Sequence, residues 1–154
     1  MDRWDRLLRE QNIRVGMKAR RNLDAIRELA ELFEKDGAVH DFKQFVADLI
    51  RREQQASTGI GKGVAVPHVH EDIIERQLLA IGVSRQGIDF AAIDGEPVHI
   101  VALLATPLKH HKQHMELLAA LSRLLQYEEV RRQIIEAPTP AAVIGVFASN
   151  RHLV

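Results

Sequence analysis

Two long apolar segments constrain the fold of this chain more than any other feature. Residues 78–83 and 98–104 are almost continuously apolar and are bounded by turn signals such as Asp94-Gly95. A strand that alternates apolar and polar residues has one face in water, whereas an uninterrupted apolar strand is covered on both faces. We therefore predict that these segments are central strands of a sheet with helices packed against it.

Helical periodicity surrounds the two strands. Asn22 is predicted to cap a helix that ends near Gly37, and Asp41 to cap a second helix whose last turn carries Arg52. A third helix is predicted to begin around residues 111–114, a fourth to cover 128–136, and a last one to start at Thr139-Pro140 and end near Phe147. The apolar faces of the first three are Ile26, Leu29, Ala30 and Phe33; Phe42, Phe45, Val46, Leu49 and Ile50; and Leu117, Leu118, Leu121, Leu124 and Leu125.

Two further segments have the pattern of short strands. Residues 13–17 alternate apolar with other residues, which is the period of a half-buried strand. The small-residue segment 57–63 is predicted to be a loop leading to a buried strand at 64–66, just before His68. Strands interleaved with helices indicate an α/β fold with a mixed sheet flanked by helices. A chain of 154 residues suits a single domain, which we place at 1–154.

Composition argues against several classes of function. The 21 Lys and Arg residues balance the 21 Asp and Glu residues, so we expect no binding to nucleic acid or to an anionic membrane surface. No apolar stretch approaches the roughly 18 residues of a membrane span, so no membrane insertion is expected. The chain contains no cysteine, which fits a reducing compartment, and we expect a cytoplasmic location.

Histidines are concentrated in one part of the sequence. Imidazole can bind metals, move protons or attack phosphorus, because its neutral form has a free lone pair near neutral pH. By residue type alone, His68 is evenly balanced between an ordinary loop residue and a reactive group. Its position after a buried strand favours reactivity, and the preceding glycines could let backbone amides approach an anion. Six of the eight histidines lie between residues 68 and 114: His68, His70, His99, His110, His111 and His114.

Two other residues are candidates for assisting His68. His114 falls in the first turn of a predicted helix, where the helix dipole disfavours imidazolium and attracts anions. It is therefore either a core histidine or a neutral donor that faces an anion. Arg52 is either a solvated charge in the last turn of its helix or, if the fold brings it near, a ligand for phosphoryl oxygens.

A metal site is the main alternative that the residues themselves suggest. His68-x-His70 and His110-His111-x-x-His114 have spacings that could place rings on one face of a strand and of a helix. No carboxylate accompanies them in a recognised ligand pattern, so we predict no metal. The glycines at 59–63 match neither a dinucleotide fingerprint nor a P-loop, so we predict no cofactor.

Three segments of the chain together resemble a known family. Arg52-Glu53 followed by residues 57–68, STGIGKGVAVPH, is similar to the signature of fructose/mannitol-type enzyme IIA domains of the bacterial phosphotransferase system, which include nitrogen-regulatory IIA proteins. The Asp-Gly-x-Pro-Val segment at 94–98 and the helix start at His114 agree in order and spacing. The resemblance covers about residues 10–148. It departs at Val69-His70, where the family often has glycine followed by a small or basic residue, and at Met115, where it has leucine.

The resemblance implies a phosphotransferase component and its partners. In such a protein His68 would accept a phosphoryl group from the histidine-containing phosphocarrier protein, with His114 and Arg52 in supporting positions and no cofactor. The group would pass to a IIB domain or act as a regulatory signal to a target protein. A histidine-based metal-binding module and a regulatory binding module that transfers nothing remain the alternatives. The sequence leaves the oligomeric state open, a homodimer included.

Overall fold

A mixed sheet forms the centre of the molecule. The computed structural model describes residues 2–154. Strands β5 and β6 pair antiparallel in the middle, β1 adds parallel to β5, and β3 and β4 both add parallel to β6, with β2 antiparallel to β3 at the far edge. The strands are β1 (Ile13–Val15), β2 (Gly59–Gly61), β3 (Val64–Ala65), β4 (His68–Glu71), β5 (Leu78–Ile88) and β6 (Val98–Pro107).

Helices cover both faces of this sheet. Helices α2 and α3 pack on one face, and α1, α4, α5 and α6 pack on the other. The prediction of an α/β fold with a mixed sheet flanked by helices is thereby confirmed. Along residues 2–154, none of the helices has both the length and the apolar character needed to cross a membrane. The helices are α1 (Arg3–Leu7), α2 (Asn22–Ala30), α3 (Phe42–Gln55), α4 (His111–Leu125), α5 (Glu128–Glu136) and α6 (Pro140–Ser149).

The central strands supply both hydrophobic cores. Side chains of successive strand residues point to opposite faces, so Leu79 and Ile81 pack with α4 while Ala80 and Leu103 pack with α2 and α3. All four side chains are buried. The prediction of two central strands is confirmed, and both strands extend beyond the apolar segments that indicated them.

Two of the three predicted side-chain caps are present. Asp41 accepts a hydrogen bond from the amide of Gln44 at 3.1 Å, and Thr139 caps α6 in the same way. The prediction for Asn22 was wrong, because Arg21 occupies the capping position and Asn22 is already helical. Arg21 is held extended by a bridge to Asp89, and the helix begins one residue earlier than predicted, at Asn22. Helix α2 also ends earlier than predicted and is followed by a 3-10 turn over Glu31–Phe33.

The small-residue segment is only partly a loop. Gly59–Gly61 forms strand β2 and returns through a tight turn to pair with β3. Gly61, Lys62 and Gly63 have positive φ angles of 92°, 59° and 76°, and glycine adopts this region without the steric cost that a side chain adds. The glycines therefore serve the hairpin turn.

The close approach of α2 to the sheet generates a prediction about stability. A Cβ atom at Gly82 would lie 2.3 Å from the sulphur of Met17 and 2.9 Å from a methyl carbon of Leu29. We expect Gly82→Ala to lower the free energy of unfolding by about 1–3 kcal/mol, the usual cost of overpacking a core. Gly145→Ala is the matched control, because its Cβ would meet nothing within 4 Å and alanine favours the helix. Urea unfolding of both variants measures the difference, and equal stability would contradict this account of the packing.

Candidate active site

An interruption between β3 and β4 determines which nitrogen of His68 is free. Pro67 has no N–H, and it separates two short strands that lie in line beside β6. In this interruption Nδ1 of His68 lies 2.7 Å from the carbonyl oxygen of Val66. A carbonyl oxygen only accepts hydrogen bonds, so Nδ1 carries the proton and donates it. The neutral ring consequently has its lone pair on Nε2.

Burial keeps the ring of His68 neutral. The half-buried position lowers its pKa below the ordinary value for histidine, and the positive charge of Arg52 acts in the same direction. The hydrogen bond to the Val66 carbonyl and the negative charge of Glu53 oppose this effect but are outweighed. His68 is therefore a neutral imidazole with an available lone pair near neutral pH.

His114 lies across from His68 at the start of α4. The two ring centroids are 5.5 Å apart and the rings are inclined by 54°. Burial, followed by the neighbouring imidazoles of His68, His70 and His111, lowers the pKa of His114 to about 4. Only 4% of His114 is exposed, and it extends the buried face of the helix as the sequence predicted. The ring is therefore neutral.

A chain of hydrogen bonds assigns the proton of His114. Nδ1 of this ring lies 2.8 Å from Oγ1 of Thr106, which already accepts a hydrogen bond from the side-chain amide of Gln77 at 3.1 Å. Among residues 2–154 the Thr106 hydroxyl has no acceptor other than Nδ1, so we assign its proton to this bond. This arrangement places the proton of the neutral His114 ring on Nε2, where it can serve a further acceptor.

Arg52 lies beside His68, as the functional hypothesis requires. Both residues line one open depression of about 330 Å³, which we call the His68 depression. The guanidinium Nη1 of Arg52 donates to the carbonyl of Ala56 at 2.9 Å, so the side chain is directed along the end of its own helix. The fold thus brings together all three predicted site residues. The depression is lined by Asp48, Arg51, Arg52, Gln55, His68, Val69, His70, Glu71 and His114.

A pair of acidic residues in this depression was not predicted from the sequence. Burial, followed by hydrogen bonding to Asp48 and the negative charge of Asp48, raises the pKa of Glu71 to about 8. Burial opposes ionisation of Asp48 too, but hydrogen bonds from Glu71 and Gln44 and the contact with Arg51 lower its pKa overall. The pair shares one proton at neutral pH. The only sequence signal for it was a polar residue, Asp48, on the buried side of α3.

Glu53 is a second residue whose structural role was not anticipated. Its carboxylate is buried and accepts hydrogen bonds from the backbone amide of Thr58 at 2.7 Å and from the Thr58 hydroxyl at 2.6 Å. These hydrogen bonds connect the end of α3 to the segment that leads into β2. Because Arg52 directly precedes Glu53, fixing this end of the helix also positions Arg52 at the His68 depression.

The predicted role of the glycine-rich segment was wrong. Among the described residues, those that line the His68 depression include no glycine. The amide of Gly59 donates to Oγ of Ser57, and the amide of Lys62 donates to Asp94. Backbone amides of this segment therefore stabilise the hairpin, and the cationic groups near His68 come from α3.

Several of the clustered histidines do meet in space. His70 stacks on His114, with ring centroids 4.8 Å apart and planes inclined by 11°, and the ring centroid of His111 lies 5.3 Å from that of His70. His99 is elsewhere and donates from Nδ1 to the carbonyl of Ser84. Within residues 2–154, no three His, Cys, Asp or Glu side chains are arranged so as to hold a metal ion.

Comparison with known proteins establishes the family. Residues 6–150 match the sequence profile described as Phosphoenolpyruvate-dependent sugar phosphotransferase system, EIIA 2, and the chain belongs to this family. The resemblance inferred from the motifs is thus confirmed.

Some relatives of the chain are named as fructose-specific components of the phosphotransferase system, and others as nitrogen regulatory proteins. The fructose-specific EIIABC component of Bacillus subtilis is 33% identical over 146 residues, which are 95% of this chain but 23% of that protein. The fructose-specific EIIA component of Haloferax volcanii is 35% identical over 80% of each chain. A nitrogen regulatory protein of Pseudomonas aeruginosa is 30% identical over 88% of this chain and 85% of its own length.

Solved structures share the fold. Nitrogen regulatory protein IIA-Ntr of Neisseria meningitidis superposes with a TM-score of 0.85 at 24% identity, covering 92% of this chain and 96% of that one. Enzyme IIA-mannitol of Escherichia coli, in a complex with phosphorylated enzyme IIB-mannitol, gives 0.80 at 23% identity, covering 92% and 97%.

The tautomer and neutrality of the two histidines can be measured directly. We expect ¹⁵N NMR of the ring nitrogens to show the proton of neutral His68 on Nδ1, since the Val66 carbonyl accepts it. His68 should titrate below the ordinary histidine pKa and His114 at about 4, because burial disfavours both imidazolium forms. A proton on Nε2 of His68 would contradict the assignment.

The shared proton of Glu71 predicts an unusual pH dependence of stability. The folded protein keeps this proton up to about pH 8, whereas an unfolded glutamate loses it near its ordinary pKa of 4.5. Between these values the folded state binds the extra proton, so the contribution of Glu71 to the free energy of unfolding falls as pH rises. The lowered pKa values of His68 and His114 contribute in the opposite sense below the ordinary histidine pKa, so the comparison is made against wild type at each pH. Glu71→Gln cannot titrate, and its stability relative to wild type should improve across this range and then level off.

Urea unfolding at several pH values tests this expectation. Glu34→Gln, an exposed residue outside the His68 depression, is the matched control and should follow wild type throughout. A stability difference between Glu71→Gln and wild type that does not change with pH would show that Glu71 is ionised in the folded protein.

Proposed function

We propose that this chain carries a phosphoryl group on Nε2 of His68, accepted from the histidine-containing phosphocarrier protein. The observation that supports this most strongly is the hydrogen bond from Nδ1 of His68 to the Val66 carbonyl. It leaves the Nε2 lone pair of a neutral ring directed away from that bond, in an open depression that another protein can reach. A neutral imidazole is the form of histidine that attacks phosphorus.

The transfer step follows from this tautomer. The Nε2 lone pair of His68 attacks phosphorus while the phosphorus–nitrogen bond of the donor imidazole breaks, and the donor nitrogen keeps that bond's electron pair. The His68 ring becomes positively charged as Nε2 bonds to phosphorus. The Val66 carbonyl stabilises this charge because it accepts the hydrogen bond from Nδ1, which favours the cationic ring.

Neighbouring groups suit the charge of the phosphoryl oxygens. His114 offers an Nε2–H on a neutral ring, and Arg52 supplies a fixed positive charge beside His68. The proton shared by Glu71 and Asp48 removes one of two negative charges that would otherwise repel the phosphoryl group. No nucleotide or metal is required by this mechanism.

The destination of the phosphoryl group has two candidates. We propose that His68 donates the phosphoryl group to a IIB domain, or that a regulatory target protein binds differently to the phosphorylated and unphosphorylated chain. Both destinations are considered because one relative is named as a fructose-specific EIIA component and another as a nitrogen regulatory protein, and each matches most of the chain. We also propose a cytoplasmic location, in keeping with a sequence that contains no cysteine. Mixing the phosphorylated chain with a fructose-type IIB domain separates the two: label moves to IIB in a relay and stays on the chain in a regulator.

Phosphoryl acceptance gives the decisive test. The chain is incubated with labelled phosphoenolpyruvate, enzyme I and carrier protein, and incorporation of label is followed. We expect His68→Ala to take up none, because the accepting nitrogen is gone. His114→Ala should slow uptake about a hundredfold, which is the typical cost of losing one donor to a developing charge.

Controls make a negative result interpretable. His152→Ala removes an exposed histidine outside the His68 depression and should be labelled like wild type. An unlabelled wild-type chain, with enzyme I and carrier protein shown to be active, would overturn the proposal. Tight zinc binding by that unlabelled chain, lost in His70→Ala, would support the metal-binding alternative instead.

A further inference from the structure

We propose that His70 is a positioning residue for phosphoryl transfer, holding the ring of His114 in the plane in which its Nε2–H faces the phosphoryl group on His68. This inference rests on the proposed function. His70 is the site feature that differs from the family's usual sequence. The resemblance that indicates His68, His114 and Arg52 gives it no role.

The stack between His70 and His114 differs from the other ring contacts in the site. Its planes are inclined by only 11° at a centroid distance of 4.8 Å, whereas His68 meets His114 at 54° and His111 meets His70 at 35°. Near-parallel rings at this distance have a preferred relative orientation. The stack therefore restrains the plane of the His114 ring as well as its position.

His114 needs this second restraint. Its one hydrogen bond, between Nδ1 and Thr106, restrains one edge of the ring, but combined rotation about χ1 and χ2 can still tilt the ring plane while Nδ1 stays near its partner. A tilt would move Nε2, the nitrogen assigned to donate to the phosphoryl group. With His70 against one face, both the position of Nδ1 and the ring plane are set.

His70 is itself held firmly enough to act as a support. Its Nε2 lies 2.8 Å from the carbonyl oxygen of Leu108 and donates to it, and the amide of Leu108 donates back to the carbonyl of Glu71 at 3.2 Å. This reciprocal pair fastens β4 to the segment between β6 and α4. The supporting ring is thus anchored to backbone on both elements of the site.

The register of the sheet brings the three groups together. His70 pairs with Thr106 in the parallel ladder between β4 and β6, and Thr106 is the residue that bonds to His114. His68, two residues earlier on β4, faces the same side of the sheet. A histidine at position 70 is therefore placed to touch His114, and its neighbours on the strand are turned away.

Two substitutions separate the stack from the hydrogen bond. His70→Phe keeps a flat ring against His114 but cannot donate to Leu108, whereas His70→Gln keeps a donor and loses the aromatic ring. We expect His70→Gln and His70→Ala to accept label from phosphorylated carrier protein about tenfold more slowly, since small misplacements of assisting groups are costly. His70→Phe should stay within about threefold of wild type. His152→Ala, which removes an exposed histidine outside the His68 depression, is the control and should also remain close to wild type.

The mobility of the His114 ring provides a readout that does not depend on transfer. In ¹³C NMR relaxation, the ring C–H groups of His114 should be rigid in wild type and His70→Phe, and they should move with larger amplitude in His70→Gln and His70→Ala because the stacked ring that restrains their plane is gone. Wild-type rates in His70→Ala, or slow transfer in that variant with unchanged mobility of the His114 ring, would overturn the inference. Far-UV circular dichroism and thermal melting check folding, and His70→Phe decides the question if His70→Ala unfolds. A wild-type chain that accepts no label would instead overturn the proposed function, and the NMR comparison would still test the positioning of His114.

Discussion

The site depends on the way β6 pairs with two successive strands along one side. Strands β3 and β4 continue the same ladder, and the gap between them at Val66-Pro67 provides the carbonyl that orients His68. Because side chains alternate across a strand, the register also sends His68 and His70 toward α4, while Val69 packs in the opposite core with α2 and α3. A shift of the β4–β6 pairing by one residue would turn His68 and His70 away from α4 and turn Val69 toward it. The pairing register in the buried sheet therefore determines which side chains form the site.

Neutral groups dominate the electrostatics of the site. Burial holds His68 and His114 uncharged, and the acidic pair retains a proton that an exposed glutamate would have lost. The remaining charges are the carboxylate of Asp48 and the guanidinium groups of Arg51 and Arg52. This modest positive balance suits a group that must be accepted and released again. A stronger cluster of cations would stabilise the bound state and slow its release.

Sequence patterns identified the central strands of the sheet and two helix caps, because each of these depends on residues close together in the sequence. Continuous apolar segments indicated β5 and β6, because strands buried on both faces need apolar side chains throughout. The caps at Asp41 and Thr139 were read correctly, since a cap depends on neighbours within three residues. The cap predicted at Asn22 failed because a distant bridge, between Arg21 and Asp89, moved the start of the helix.

The difference between features set by neighbouring residues and features set by distant contacts also explains which parts of the site were predicted from the sequence. His68, His114 and Arg52 were recognised through motifs, and the structure brings them together. The glycine-rich segment was assigned to the anion because its composition permits close approach, but its amides are used within the hairpin. The proton shared by Asp48 and Glu71 has no signature in sequence. It arises from burial and from contact between α3 and β4, both of which are properties of the folded chain.

The bond between Nδ1 of His68 and the Val66 carbonyl has a consequence for detection. Phosphohistidine exists as two positional isomers that differ in chemical lability and in the antibodies that recognise them. A ring whose Nδ1 is occupied by the backbone presents only Nε2, so the phosphorylation that we propose would give the Nε2 isomer. An antibody specific for the Nδ1 isomer would then give no signal with the fully phosphorylated chain.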